Sequence, residues 1–133
     1  MKESTLNTDA WTNPNRTAKG RTGEQMAAFF LTDRGYIVLA RNQRTPLGEL
    51  DLICRSLAEV VIVEVKARTA AEFGEAIEAI GPRKARRLRA AAAWWLSDRG
   101  LFPCPVRFDA VVVDLDSRGL PRSLHHLKNI LET

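Results

Sequence analysis

Glu49 and Asp51 stand two residues apart, and so do Glu64 and Lys66. In an extended chain side chains alternate between faces, so each couple shares one face. The second couple follows Val60-Val-Ile-Val63, a run apolar on both faces, which marks a buried strand. A buried strand ending in a carboxylate and an ammonium, about 6.6 Å apart at strand rise, must pair them or present them to something. An unpaired buried charge is costly. Asp51 precedes Glu64 by 13 residues, and a hairpin of that length sets the two carboxylates side by side. Two such groups repel each other and accept a cation. Hard oxygen ligands with open positions suit Mg²⁺ or Mn²⁺, ions that also hold phosphates. Lys66, one step further along, would orient an attacking water or offset charge growing on a pentavalent phosphate. The plainer reading is a solvated strand end with Lys66 bridged to Asp51 across the strands. The E-x-K triplet alone favours that reading; Asp51 on the preceding strand tips the balance toward chemistry.

Glu24 reads differently. An acid in the first turn of a helix is favoured by the helix dipole whatever else it does. His125 and His126 have no partner residues flanking them, so the sequence places them on the surface. Cys54 and Cys104 are too few for a disulfide framework or a cysteine metal cage and read as reduced thiols.

Six elements must position these groups. Residues 1–20 are polar and aperiodic and read as a flexible arm, with one folded domain over 21–133. Thr22-Gly-Glu-Gln25 fits a capping box that opens the first helix. Met26, Phe29 and Phe30 then supply its core face, and Gly35 a left-handed stop. Strands follow at Tyr36–Asn42, Glu49–Cys54 and Val60–Lys66, joined by the Pro46-Leu-Gly48 turn and a short link at Ser56–Glu59. Short links make the three antiparallel neighbours. Ala67–Gly74 reads as a mobile loop. Gly81-Pro82 opens a second long helix with the apolar stripe Ala85, Leu88, Ala92, Trp95 and Leu96, and Gly100 ends it. A fourth strand spans Val106–Leu115. The helix before it implies a right-handed crossover, hence a third and fourth strand that run parallel. The tail from Arg122 to Leu131 fits an edge strand or a helix equally. The order αβββαβ gives an α/β fold, a mixed central sheet flanked by helices.

The chain has 133 residues, 45% hydrophobic and 27% charged, which suits one globular domain with a real core. Its longest apolar run, Ala90–Leu96, is too short to cross a bilayer. No secretory signal opens the chain, so a cytoplasmic protein without a membrane partner is expected. Residues 81–107 carry seven basic side chains and one acid, a local net of +6 against +4 for the whole chain. Arg83, Lys84, Arg86, Arg87 and Arg89 make the second helix a basic patch that suits an anionic partner. Trp94 beside those arginines would stack on a base or pack against a second copy in a homodimer; the sequence leaves both open.

Taken together, Gly23-Glu24, Gly35-Tyr36, Ala40-Arg-Asn42, Gly48-Glu-Leu-Asp-Leu-Ile53, Val63-Glu-Val-Lys66-Ala-Arg68, Phe73-Gly74, Lys84, Ala92–Leu96 and Arg107-Phe-Asp109 resemble the YraN-type family of uncharacterised bacterial proteins. That family is similar to archaeal Holliday-junction resolvases and to the PD-(D/E)xK nucleases, whose restriction-endonuclease-like core is αβββαβ. The resemblance implies a metal-dependent endonuclease acting on branched or otherwise structured DNA with one or two Mg²⁺ or Mn²⁺ per site. It makes Asp51 and Glu64 metal ligands, joined by the Val65 carbonyl and by Glu24, and Lys66 the catalytic lysine. Arg68, Arg83, Lys84, Arg86 and Arg87 become nucleic-acid contacts, and Glu49 a supporting residue. The alternative is a non-catalytic nucleic-acid-binding module that keeps the acidic site as a scaffold.

Overall fold

A computed structural model describes residues 18–69 and 81–131. Helix α1 (Ala18–Asp33) leads into β1 (Ile37–Thr45), β2 (Gly48–Ser56) and β3 (Glu59–Thr69). Helix α2 (Pro82–Asp98), β4 (Val106–Leu115) and β5 (Pro121–Leu127) complete the chain. The five strands form one mixed sheet in the order β1-β2-β3-β4-β5. Neighbours are antiparallel except β3 and β4, which run parallel with Glu64 opposite Ala110 and Lys66 opposite Val112. This is the expected αβββαβ order plus an edge strand. Of the expected arm, residues 1–17 lie outside the described residues and 18–20 belong to α1. Of the expected loop, Ala67–Thr69 continue β3 and the remainder lies outside the described residues.

Each helix covers one face of the sheet. On the α1 side Ala27 and Leu31 pack with Leu52, Cys54, Val61, Val63, Val65, Val111 and Val113. On the α2 side Leu88, Ala91, Ala92, Trp95 and Leu96 pack with Leu50, Ile53, Val60 and Ile62. Alternation along β3 deals Val61, Val63 and Val65 to one core and Val60 and Ile62 to the other. The expected stripe of α2 therefore stands, with Ala91 added and Ala85 at its margin. Cys54 and Cys104 are free thiols that join opposite cores.

Helix α1 departs from the sequence reading in two ways. Thr22 is its fifth residue, so the expected capping box does not open it. Its core face is Gly23, Glu24, Ala27, Ala28 and Leu31, whereas Met26 and Phe29 are exposed and Phe30 is half-buried. Close approach explains the exchange. A Cβ added at Gly23 would stand 2.8 Å from the Ala67 Cβ, so the helix lies against β3 on its smallest residues. Bulky side chains are left to the flanks.

The C-terminal tail resolves as a strand. Its pairing puts His126 opposite Val111 and His125 opposite Val112. His125 is exposed, but His126 points inward: Nε2 lies 2.8 Å from Asp109 Oδ2, and the ring stands edge-on to Phe30 and Tyr36. The expectation that both histidines lie on the surface therefore holds for one of them only. Asp109 also accepts two bonds from Arg107, at 2.9 and 2.8 Å, and one from the Asn129 N–H. Arg107 reaches on to Glu59 and to the Tyr36 hydroxyl. This network fastens β3, β4, the end of β5 and the exit of α1.

Candidate active site

Asp51 and Glu64 meet on the sheet face that α2 covers. The β2–β3 ladder ends at Leu52 opposite Val63, and Asp51 and Glu64 are the next residues along the two strands. Val65 N–H donates to Asp51 Oδ2 at 2.8 Å, which clamps the aspartate against β3. Asp51 and Glu64 are buried, 7% and 6% exposed. Burial first, then the neighbouring Asp51 charge, pushes the Glu64 carboxyl up to about 7, with Lys84 and Lys66 pulling the other way. Glu64 Oε2 is buried with no hydrogen-bond partner among the described residues. An acid so placed keeps one oxygen open to a cation.

Lys66 follows on the same face of β3 and is half-buried. Burial first, then the close approach of Lys84, pulls its ammonium down to about 8, while Glu64 and Asp51 raise it. Lys84 is the residue whose place the sequence reading assigned differently. It was expected on the basic nucleic-acid face of α2, yet its Nζ lies 3.6 Å from Glu64 Oε1. A lysine among arginines carries no mark in sequence of which one turns inward. Between the β1–β2 turn and the first turns of α2 lies a cleft of about 250 Å³, lined by Leu47, Gly48, Glu49, Lys84, Arg87 and Leu88. Glu49 itself is exposed and pairs across the hairpin with Arg44 at 3.4 Å.

Glu24 is buried at 3% exposure on α1, on the helix that covers the other face of the sheet. Its charge acts on Arg41, whose guanidinium burial otherwise pulls down. Among the described residues no group of three or more His, Cys, Asp or Glu side chains is arranged to hold a metal ion. The arrangement that does converge is two carboxylates and two lysines. Mg²⁺ is commonly held by one or two carboxylates with water and substrate phosphates filling the other positions. By that measure the pair, with its orphaned buried oxygen, fits a hard divalent ion.

The basic residues divide by face. Arg83, Arg86 and Arg87 are exposed along α2, Lys84 turns in to Glu64, and Arg89 donates to the Leu131 carbonyl. Arg68, two residues past Lys66, donates to the Ala67 carbonyl at 3.1 Å. Trp94 is 37% exposed, whereas Trp95 is buried with its indole N–H on Gln43 Oε1 at 3.0 Å.

The sequence pattern of uncharacterised protein family UPF0102 matches residues 23–113, a span that includes Glu24, Asp51, Glu64, Lys66 and Lys84. The chain belongs to this family. It is the YraN-type, endonuclease-like family that the motifs resemble. A UPF0102 protein of Anaeromyxobacter dehalogenans is 44% identical over 110 residues, 83% of this chain and 81% of that one. One from Moorella thermoacetica is 45% identical over 101 residues, covering 76% and 84%. A third, from Frankia alni, is 43% identical over 113 residues, covering 85% and 93%. No helix among the described residues is long and apolar enough to cross a membrane.

Proposed function

We propose that this family member is a metal-dependent endonuclease acting on structured, branched DNA. The observation that carries the reading is Glu64: a carboxylate buried beside Asp51, with one oxygen lacking any described partner, on a strand that places Lys66 two residues on. Asp51, Glu64 and the Val65 carbonyl would hold the ion, while Glu24, on the helix that covers the other face of the sheet, acts on Arg41 instead. A divalent ion there would neutralise the two acids and stabilise charge developing on a scissile phosphate. Lys66, held down to about 8, is near enough to neutrality to take a proton from an attacking water or to return one to the leaving oxygen. Hydrolysis adds that water across one P–O ester bond. Arg83, Arg86 and Arg87, exposed on the helix above the site, would receive the neighbouring phosphates. Phosphate contacts of this kind fix position without reading sequence, which suits recognition of shape.

One observation favours a second reading, a nucleic-acid-binding module that keeps the acidic site without cleaving. Only two of the three expected acids converge among the described residues. Labelled four-way junction, flap, linear duplex and single strand, each incubated with Mg²⁺, Mn²⁺ or chelator, separate the two. Cleavage of the junction that needs the ion supports the nuclease; binding of the junction without cleavage in either ion supports the module.

A further inference from the structure

Lys84 stands where three effects oppose a cation. It is the third residue of α2, whose first turn holds Arg83 and Lys84 and no acid; the exposed N–H groups of a first turn disfavour positive charge. Gly81 at the N-cap adds no side-chain hydrogen bond to offset them. The Lys66 ammonium is a close neighbour of like charge. Finally, the side chain is only 26% exposed. A chain that needed no more than a helix start would place Ser, Asp or Glu here. What compensates is Glu64, whose Oε1 lies 3.6 Å from Lys84 Nζ while Oε2 is buried with no hydrogen-bond partner among the described residues.

We infer that Lys84 is an internal cation that holds the Asp51–Glu64 pair while no divalent ion is bound, and competes with that ion for Glu64. The inference rests on the reading of Asp51 and Glu64 as a divalent-ion pair. Two buried carboxylates without a counter-charge would strain the fold, and the ammonium relieves them with a single charge. A compact divalent ion supplies twice that charge, yet it cannot share Glu64 with Nζ at this range without repulsion. Lysine suits a temporary occupant, because a point charge on a flexible stem leaves more readily than a planar, bidentate guanidinium. The cleft shared with Arg87 gives the displaced ammonium a place to go. There Lys84 and Arg87 would meet a phosphate oxygen, so an anionic substrate that draws Lys84 off Glu64 also tightens the ion.

The test is calorimetric titration of the full chain with Mn²⁺ alone, on wild type, Lys84→Met, Lys84→Gln, Arg87→Met and Asp51→Asn. Both Lys84 variants should bind Mn²⁺ roughly 10-fold more tightly than wild type, in the usual range of coupling between two sites. Arg87→Met, which removes a charge from the same cleft without touching Glu64, should gain roughly threefold or less by the same measure. Unchanged or weaker Mn²⁺ binding in both Lys84 variants overturns the inference, as does an equal gain in Arg87→Met. If wild type binds, Asp51→Asn does not and Lys84 variants gain nothing, the inference falls alone. No Mn²⁺ binding by wild type or by either Lys84 variant removes the divalent-ion reading as well.

Discussion

The backbone N–H of Val65 donates to Asp51 Oδ2 at 2.8 Å, so the residue between Glu64 and Lys66 is also the one that fixes Asp51. A single turn of the β3 ladder thereby sets the spacing of all three side chains. Rigid strands hold such a constellation more tightly than loops, and the site inherits the stiffness of the sheet centre.

That geometry stores unfavourable charge, and its pH dependence follows. With chelator present, the Glu64 carboxyl sits at about 7 against about 4.3 in an unfolded chain. A raised carboxyl gives stability that is whole below its unfolded value and is lost as pH climbs through the folded one. Wild type should therefore lose ground to Glu64→Gln between about pH 4.3 and pH 7, by up to about 3 kcal/mol, and stay behind above that. Urea unfolding of both proteins across pH 5 to 8 reads the gap; parallel profiles would contradict the burial argument.

Lys66→Ala should leave ion and DNA binding nearly intact while cleavage falls by orders of magnitude, since an interaction made mainly in the transition state is lost from turnover first. Single-turnover cleavage beside a junction-binding titration checks this. Undiminished cleavage would take the lysine out of the chemistry.

Gly23→Ala places a methyl 2.8 Å from the Ala67 Cβ, and neither atom is the tip of a flexible chain. Helix α1 must retreat from β3, at a cost of about 1–3 kcal/mol for overpacking, carrying Glu24 with it. Thermal unfolding should show the loss; an unchanged midpoint would mean that the helix already has room.

Sequence alone made β1 to β4 and α2 legible because each is marked locally. Val60-Val-Ile-Val63 has no polar residue to expose, and Pro82 and Gly100 bracket a helix whose stripe repeats at the right spacing. Asp51, Glu64 and Lys66 were legible as a group for the same reason, since strand alternation fixes their faces. The face of α1 was not. Large apolar residues are the usual guide to a core, but here close packing on Ala67 selected Gly23, Ala27 and Ala28. Nor were Lys84 and His126, whose partners Glu64 and Asp109 come from elements distant in sequence.

The Asp109 network predicts a stability effect far from the chemistry. Burial alone would push this carboxyl up, but the bonds from His126, Arg107 and the Asn129 N–H hold it down at about 2. Asp109→Ala takes from Arg107 its bidentate carboxylate, though Glu59 and the Tyr36 hydroxyl remain, and should cost about 2–3 kcal/mol at neutral pH. A lowered carboxyl contributes above its unfolded value and fades as pH falls through the folded one, so the cost should shrink between about pH 4 and pH 2. A loss that stayed constant over that range would point to packing instead of charge.

Along α2, if roughly three to five phosphates are neutralised, junction binding should weaken with salt at a log–log slope of about −3 to −5. Replacing Arg83, Arg86 and Arg87 with Gln should flatten it by about two units or more, because each lost contact removes nearly one. All three are exposed, so the fold should survive. An unchanged slope would move the DNA surface off this helix.

The central claim is that Asp51 and Glu64 together hold a divalent ion. Mn²⁺ titration of wild type against Asp51→Asn, followed by calorimetry at pH 8, tests it most directly. Asn keeps an oxygen for the Val65 N–H but removes the charge that the ion needs. The account predicts measurable Mn²⁺ binding by wild type, weakened at least about 10-fold in the variant, a loss of about 1.4 kcal/mol or more. Equal affinity in the two proteins would contradict it.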